Sequence, residues 1–135
     1  MGIVIVTKRF PKEEFIMGII VQKYGGTSVA DLKRIQHVAK RVTHTYDQGN
    51  NVVVILSAMA GVTDKLINLA NEVTKNPDRR ELDVLLATGE QTTAALLAMM
   101  LRSMDYPAAS LMGYQADVVT DCEFGNARII EIGGE

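Results

Sequence analysis

The sequence has 135 residues, of which 47% are hydrophobic and 22% charged, and its 14 Lys and Arg against 16 Asp and Glu leave a formal net charge of −2. This apolar content excludes a disordered chain, and the length suits a single globular domain. The near-neutral charge argues against a protein that tracks the phosphates of a nucleic acid, and the single cysteine, Cys122, cannot form an internal disulfide.

The sequence contains no obvious targeting or membrane segment. No apolar run approaches the roughly 18 residues that a membrane span needs. The short apolar run Gly2–Val6 is followed, rather than preceded, by basic residues, which is the reverse of a secretory signal. We therefore expect a cytoplasmic protein.

The first 16 residues look detached from the rest of the chain. Ile3–Val6 could form a short strand, and Pro11 with the charged residues after it is typical of a connector. Met17-Gly18 and the apolar residues after it repeat the opening Met1-Gly2, which indicates a second start at Met17. We expect 1–16 to be an extension and 17–135 to form the folded unit.

The next elements alternate between strand and helix. Ile19–Lys23 is apolar and rich in β-branched residues, as in a buried strand, and it ends at a pair of glycines. Ser28 and Asp31 have the spacing of a capping box and predict a helix that runs to about Tyr46. The apolar face of that helix comprises Leu32, Ile35, Val38, Ala39 and Val42.

The second half of the sequence continues this alternation. Val52–Leu56 predicts a second strand, Thr63 is placed to cap the helix after it, and Ala108–Met112 predicts a third strand. Thr88-Gly89 separates two predicted helices. These helices and a short fourth strand cover Glu81–Ala87, Glu90–Met104 and Val118–Thr120. The alternation predicts an α/β fold with a mainly parallel sheet covered on both faces.

The turn Lys23–Ser28, of sequence KYGGTS, is the strongest candidate for a binding site. It leaves the carboxyl end of a strand and opens into a helix, which is where open α/β sheets bind ligands. Gly25 and Gly26 let backbone N–H groups approach an anion closely, and Lys23 adds a positive charge. Phosphate binding is the direct interpretation, although a plain strand-to-helix turn uses the same residue types.

Two further segments carry candidate residues. Ser57–Asp64 repeats the design of small residues before a hydroxyl-capped helix, and parallel strands would place it beside the first turn, although Thr63 alone is explained by N-capping. Glu90 could bind a substrate ammonium, but a carboxylate that complements the helix dipole is the simpler explanation. His37 and His44 have no further ligand at suitable spacing, so no metal site is predicted.

Together these segments resemble the aspartokinases of the amino-acid kinase fold family. The resemblance rests on four ordered blocks between residues 17 and 132: KYGGTSVAD (23–31), VVVILSAMAGVTDKL (52–66), ATGEQTTAALLAMML (87–101) and CEFGNARIIEI (122–132). It implies an incomplete three-layer α-β-α sandwich with a mainly parallel sheet, in which 17–135 would be the amino-terminal part of the kinase domain.

The resemblance implies transfer of the γ-phosphoryl group of ATP, supported by Mg²⁺, to the side-chain carboxylate of L-aspartate. The product, 4-phospho-L-aspartate, would begin lysine, threonine and methionine biosynthesis. By the same resemblance, Lys23 would stabilise the transferring phosphoryl group, the two glycines would donate N–H groups to ATP, and Ser57 would line the nucleotide side. Thr63 and Glu90 would bind aspartate, Glu90 through the substrate ammonium.

The sequence departs from the family at its end. Family members continue into an LGRGGSD-type motif, the rest of the nucleotide pocket and regulatory ACT domains, and no Arg-Gly-Gly-Ser-Asp run occurs here. Two hypotheses are compatible with this departure: an aspartokinase described by its parent activity, or a non-catalytic fragment that is at most a phosphate-binding or assembly module. An incomplete parallel sheet would expose an apolar edge, so a homo-oligomer or a complementing carboxyl-terminal kinase segment is expected.

Overall fold

The structure is a computed structural model that describes residues 2–7 and 18–133. Its strands are β1 (Gly2–Val6), β2 (Ile19–Tyr24), β3 (Asn51–Leu56), β4 (Ala108–Leu111), β5 (Val118–Thr120) and β6 (Ile129–Ile132). Its helices are α1 (Leu32–Asp47), α2 (Val62–Val73) and α3 (Arg79–Ser103), with short 3₁₀ turns at Gly26–Val29 and Gly113–Ala116.

Four of the strands form one mixed sheet in the order β2-β3-β1-β4. β2 and β3 are parallel, whereas β1 runs antiparallel to both β3 and β4, so β3 and β4 are parallel to each other. The strands β5 and β6 pair antiparallel in a separate small sheet. The predicted α/β class is confirmed.

The core lies between one face of the sheet and the helices α1 and α3. Alternate strand residues point to this face, and Val4 and Val54 are 0% exposed. Ile35 of α1 and Leu97 of α3 meet them and are also 0% exposed. Truncating the larger of these side chains to Ala would cost about 2–5 kcal/mol, because a cavity would remain.

The opposite face of the sheet is open at β2 and carries no helix in the described part of the chain, so the expectation that helices cover both faces is not met there, although Ile3 on this face is only 6% exposed. β2 is an edge strand rather than a buried one, and Ile19 and Val21 are 67% and 65% exposed. These residues point away from α1, and no described helix packs over them. A β-branched apolar run reports strand propensity but does not distinguish an edge strand from an interior strand.

The expectation that the first residues stand apart from the fold is wrong for 2–7. The predicted strand exists as β1, but it lies inside the sheet, where Val4 and Val6 are completely buried. Its alternating apolar side chains fit a position with a core on one side. The predicted connector around Pro11 and the second start at Met17 lie outside the described residues, and the separate origin of 1–16 stays a prediction.

The helix α1 begins later than its capping-box pattern predicts. The N-cap is Asp31, whose carboxylate accepts a hydrogen bond from the backbone N–H of Arg34 at 2.8 Å. Ser28 instead lies in the 3₁₀ turn before the helix. The predicted apolar face is buried apart from Leu32, which is 58% exposed.

The helix α2 is capped by backbone conformation rather than by a side chain. Its N-cap is Gly61, at φ 75°, a left-handed conformation that glycine adopts without steric cost. Thr63 lies one residue inside the helix, so the prediction that Thr63 is the N-cap is wrong.

The two helices predicted on either side of Thr88-Gly89 are one continuous helix, α3. Within the described residues, α3 is also the one helix that is long and apolar enough to cross a membrane, by length and composition alone. The sequence prediction concerned uninterrupted apolar runs, and charged residues interrupt this helix. Ala94, Leu97 and Leu101 pack into the core, and a core helix meets the same criterion.

Candidate functional site

The carboxyl ends of β2 and β3 lie side by side, as the sequence predicts. Tyr24 and Leu56 are partners in the parallel register, and the backbone N–H of Ser57 donates to the carbonyl of Tyr24 at 3.2 Å. The glycine turn after β2 and the small-residue loop after β3 therefore leave the same edge of the sheet. Ligands of open α/β sheets bind at this kind of edge.

The glycine turn after β2, the loop after β3 and the helix α3 meet at Ala58, which belongs to that loop and is 6% exposed. A Cβ atom on Gly26 would lie 3.0 Å from the carbonyl oxygen of Ala58. A Cβ atom on Gly89, in α3, would lie 3.0 Å from the Cβ atom of Ala58 and 3.3 Å from Cγ1 of Val62. The absence of side chains at Gly26 and Gly89 thus brings the turn, the loop and α3 into contact.

Gly25 differs from Gly26 and Gly89, because no contact and no backbone angle in the described chain requires a glycine at this position. Its φ of −76° and ψ of 168° are accessible to any residue, and no atom lies within 4 Å of the position where a Cβ would stand. The turn is therefore open to solvent at Gly25. An incoming anion could reach the backbone here without meeting a side chain.

The turn is held in place by Arg34, a residue that the sequence reasoning missed. The guanidinium of Arg34 donates to the backbone carbonyl of Thr27 at 2.8 Å and lies 3.8 Å from the carboxylate of Asp31. Within the turn, the N–H of Ser28 donates to the carbonyl of Gly25 at 2.9 Å. The i,i+3 spacing of Asp31 and Arg34 was the available signal for this anchor.

Lys23 is exposed and points to the open face of the sheet. Its neighbours point the other way: the amide of Gln22 donates to the hydroxyl of Thr45 on α1 at 2.8 Å, and the hydroxyl of Tyr24 donates to Gln22 at 2.9 Å. Burial raises the pKa of Tyr24, an effect that Arg41 partly offsets. Since strand residues alternate, the Lys23 ammonium lies on the side of the sheet opposite α1.

The remaining candidate residues lie around the same edge without forming a closed cluster. Ser57 and Glu90 are half-buried, and Thr63 is exposed in the first turn of α2. Among the hydrogen bonds of the described residues, none joins the side chains of Lys23, Thr63 and Glu90. The segments that carry these residues therefore meet through backbone and Cβ contacts at Ala58 rather than through contacts of the candidate side chains, and the site itself stays a prediction.

No metal-ligand cluster accompanies this edge. Residues 2–7 and 18–133 contain no group of three or more His, Cys, Asp or Glu side chains that could hold a metal ion. That His37 and His44 hold no metal stays a prediction.

Comparison with known proteins decides the family. The profile of the amino acid kinase family matches residues 18–132. The chain belongs to the amino acid kinase family. Among its relatives in that family, the aspartokinase of Geobacillus stearothermophilus is 55% identical over 116 residues, which are 86% of this chain and 28% of the relative.

Other members of the amino acid kinase family give the same result. The aspartokinase of Thermus thermophilus is 48% identical over 116 residues, 86% of this chain and 29% of that protein. The crystal structure of aspartate kinase from Synechocystis superposes with a TM-score of 0.62 at 52% identity, covering 64% of this chain and 15% of that one. The chain therefore spans less than a third of the length of these relatives.

Proposed function

We propose that this chain is the amino-terminal part of an aspartate kinase, which transfers the γ-phosphoryl group of ATP to the side-chain carboxylate of L-aspartate. The observation that supports this most strongly is the convergence of the glycine turn, the Ser57–Gly61 loop and α3 on Ala58. The same segments carry the resemblance to aspartokinases, and relatives of that name are about half identical to the chain.

The reaction needs no general base, because the aspartate carboxylate is already ionised near neutral pH. Its difficulty is to bring one anion against the polyanionic tail of ATP. Catalysis therefore depends on positioning and on electrostatic stabilisation of the transferring phosphoryl group. In this proposal Lys23 supplies the positive charge, and the backbone N–H groups of Gly25, which is open to solvent, and Gly26, which packs against Ala58, bind the phosphates.

The Mg²⁺ ion expected with ATP does not find a set of ligands in the described residues. No step of the proposed reaction is assigned to it. In this proposal the glycine turn Lys23–Ser28 is the part of the chain that binds the nucleotide phosphates, and Ser57 lines the nucleotide side.

Aspartate would bind between α2 and α3. Glu90 is half-buried, and its carboxylate would bind the substrate ammonium. Thr63 lies exposed in the first turn of α2, and its hydroxyl would form a hydrogen bond with the substrate. The product would be 4-phospho-L-aspartate, made in the cytoplasm as the first step towards lysine, threonine and methionine. The active species would be a homo-oligomer or a complex with a carboxyl-terminal kinase segment.

A hydroxamate assay dependent on ATP and aspartate tests this function. The chain is assayed alone and together with the carboxyl-terminal part of the Geobacillus stearothermophilus aspartokinase that lies beyond the matched region. We expect hydroxamate only from the mixture, and only when aspartate is present. If the two parts form a stable complex that remains inactive, the non-catalytic binding or assembly module is the correct description.

A further inference from the structure

We propose that β1 is a donor strand: a separable segment that fills a strand-binding groove between β3 and β4 and positions α3 at Glu90. The strand-binding groove is defined by the facing edges of Asn51–Leu56 and Ala108–Leu111. These two strands bond to β1 on either side and not to each other. This assignment is independent of the kinase activity, except for the role given to Glu90.

The strand-binding groove cannot remain empty in a folded chain. Adjacent strands lie about 4.8 Å apart, so removing β1 would leave two rows of unpaired backbone groups separated by about 10 Å. Each buried N–H or carbonyl without a partner is costly, and the groove is lined by fully buried residues such as Val52 and Val54. An extended segment with apolar residues at alternate positions is therefore required.

The sequence of β1 meets this requirement on both faces of the sheet. Val4 and Val6 point into the core and are 0% exposed, while Ile3 is 6% exposed and Ile5 is half-buried on the open face. Five consecutive residues pair with β3, from Gly2 opposite Leu56 to Val6 opposite Val52. The occupant is thus recognised by backbone pairing and by two valine pockets.

Two observations indicate that β1 is separable from the rest of the sheet. The match to the amino acid kinase family model begins at residue 18, so β1 lies outside the matched residues. In addition, β1 runs against β3 and β4, whereas β2, β3 and β4 all run in one direction. Strands that are joined by helical crossovers run parallel to one another. The opposite direction of β1 therefore marks it as an addition to the parallel strands β2, β3 and β4.

The amino end of β1 reaches the candidate site. A Cβ atom on Gly2 would lie 2.5 Å from the backbone carbonyl oxygen of Glu90 and 3.0 Å from the Cβ atom of Ala94. Gly2 is also the partner of Leu56, directly before Ser57. The occupant of the groove therefore fixes the spacing between α3 at Glu90 and the end of β3.

The experiment begins from the full chain, with a protease recognition sequence replacing residues 10–15. After cleavage, both pieces remain present, and an isotopically labelled synthetic peptide of residues 1–9 is added. Native mass spectrometry follows replacement of the resident strand, and hydrogen exchange follows protection of the β3 and β4 amides. We expect saturable uptake of the peptide, with protection kept while the groove is filled.

Three peptide variants test the recognition. Val4→Asp should bind at least about 100-fold more weakly, because it would bury a charge. Gly2→Val should bind about 10-fold more weakly, because its side chain would strike the Glu90 carbonyl. Ile5→Thr, on the open face, is the matched control and should bind within about 3-fold of the parent peptide.

A locked chain shows that the exchange occurs in the groove itself. Ile5 and Ala109 are direct partners across β1 and β4, so Ile5→Cys with Ala109→Cys can form a disulfide, with Cys122→Ser removing the native thiol. The oxidised chain should take up no peptide, and reduction should restore uptake. The proposal is wrong if the cleaved strand never exchanges, or if it leaves and β3 and β4 stay protected without peptide. Equal binding of the Gly2→Val peptide would overturn the coupling to Glu90.

Discussion

Gly26 and Ala58, 32 positions apart in the sequence, meet so closely that a Cβ atom on Gly26 would lie 3.0 Å from the carbonyl oxygen of Ala58. This contact joins the turn that leaves β2 to the loop that leaves β3. It explains why the first of these segments needs a small residue at its second glycine. It also separates the roles of the two glycines, because Gly25 has open space around it.

We predict that Gly26→Ala destabilises the chain by about 1–3 kcal/mol, since the new methyl group would overpack against the Ala58 carbonyl. Urea denaturation monitored by circular dichroism measures this difference. Gly25→Ala is the matched control and should change the free energy of unfolding by less than about 1 kcal/mol in either direction. Equal losses for both variants would contradict the distinction between the glycines.

Gly89→Ala tests the packing of α3 on the same point. Alanine gains about 1 kcal/mol over glycine in a helix, but its Cβ would lie 3.0 Å from that of Ala58 and 3.3 Å from Val62. We expect net destabilisation of about 1–2 kcal/mol, because overpacking outweighs helix propensity. Combining Gly89→Ala with Ala58→Gly should recover part of this loss, and a double-mutant cycle measures the coupling. Additive effects would show that the two residues do not press on each other.

The kinetic roles of Lys23 and Glu90 are tested in the complemented enzyme. Lys23→Ala should lower kcat by about 10²–10³, as removal of a single transition-state donor does in other enzymes. Glu90→Ala should mainly raise KM for aspartate and leave KM for ATP unchanged. Lys33→Ala serves as the control, because Lys33 is also an exposed lysine but lies on α1 rather than on β2. Unchanged kinetics for Lys23→Ala and Glu90→Ala would reject both assignments.

Stability should fall in alkaline solution in a way that depends on Tyr106. Its hydroxyl donates to the two carboxylate oxygens of Asp47 at 3.0 and 2.9 Å, and this hydrogen bond raises its pKa above the ordinary 10.0. Because the folded chain holds the proton more tightly, the stabilisation is complete below pH 10 and is lost as the pH rises through the raised pKa.

Urea midpoints measured between about pH 8 and pH 11.5 check the expected loss. Tyr106→Phe should flatten the profile and leave the decline that the raised pKa of Tyr24 contributes in the same direction. The exposed Tyr114 provides a control, since Tyr114→Phe should retain the parent profile. A parent-like profile for Tyr106→Phe would refute the role of the Asp47 hydrogen bond.

The open face and edge at β2 predict self-association of the isolated chain. An unpaired strand edge with exposed apolar residues pairs readily with a second copy. Val21→Lys places a charge on this strand and should shift the chain towards monomer in light scattering at micromolar concentration. Leu32→Lys, at a similarly exposed position on α1, should not. A parent chain that is already monomeric would contradict the prediction.

Local patterns in the sequence located most strands, the helix α1 and the side-by-side carboxyl ends of β2 and β3, where the candidate site is proposed. They misplaced features that depend on distant contacts. Gly89 looks like a helix break in sequence, yet it is the residue that lets α3 pass Ala58. Likewise, nothing in residues 2–6 indicates that they enter the middle of the sheet, because that position is set by β3 and β4. The i,i+3 spacing of Asp31 and Arg34 signals their ion pair, but the hydrogen bond of Arg34 to the turn depends on the orientation of a long side chain.

The link between Asp47 and Tyr106 lies at the end of the sheet where β3 and β4 begin, and the glycine turn lies where β2 and β3 end. Deprotonation of Tyr106 would therefore weaken the structure first at the end of the sheet opposite the glycine turn. A spectroscopic label at Asp105 would report this local loosening at a pH where the signal of a label at Ser57 is still unchanged. The two ends of the sheet can therefore be probed separately.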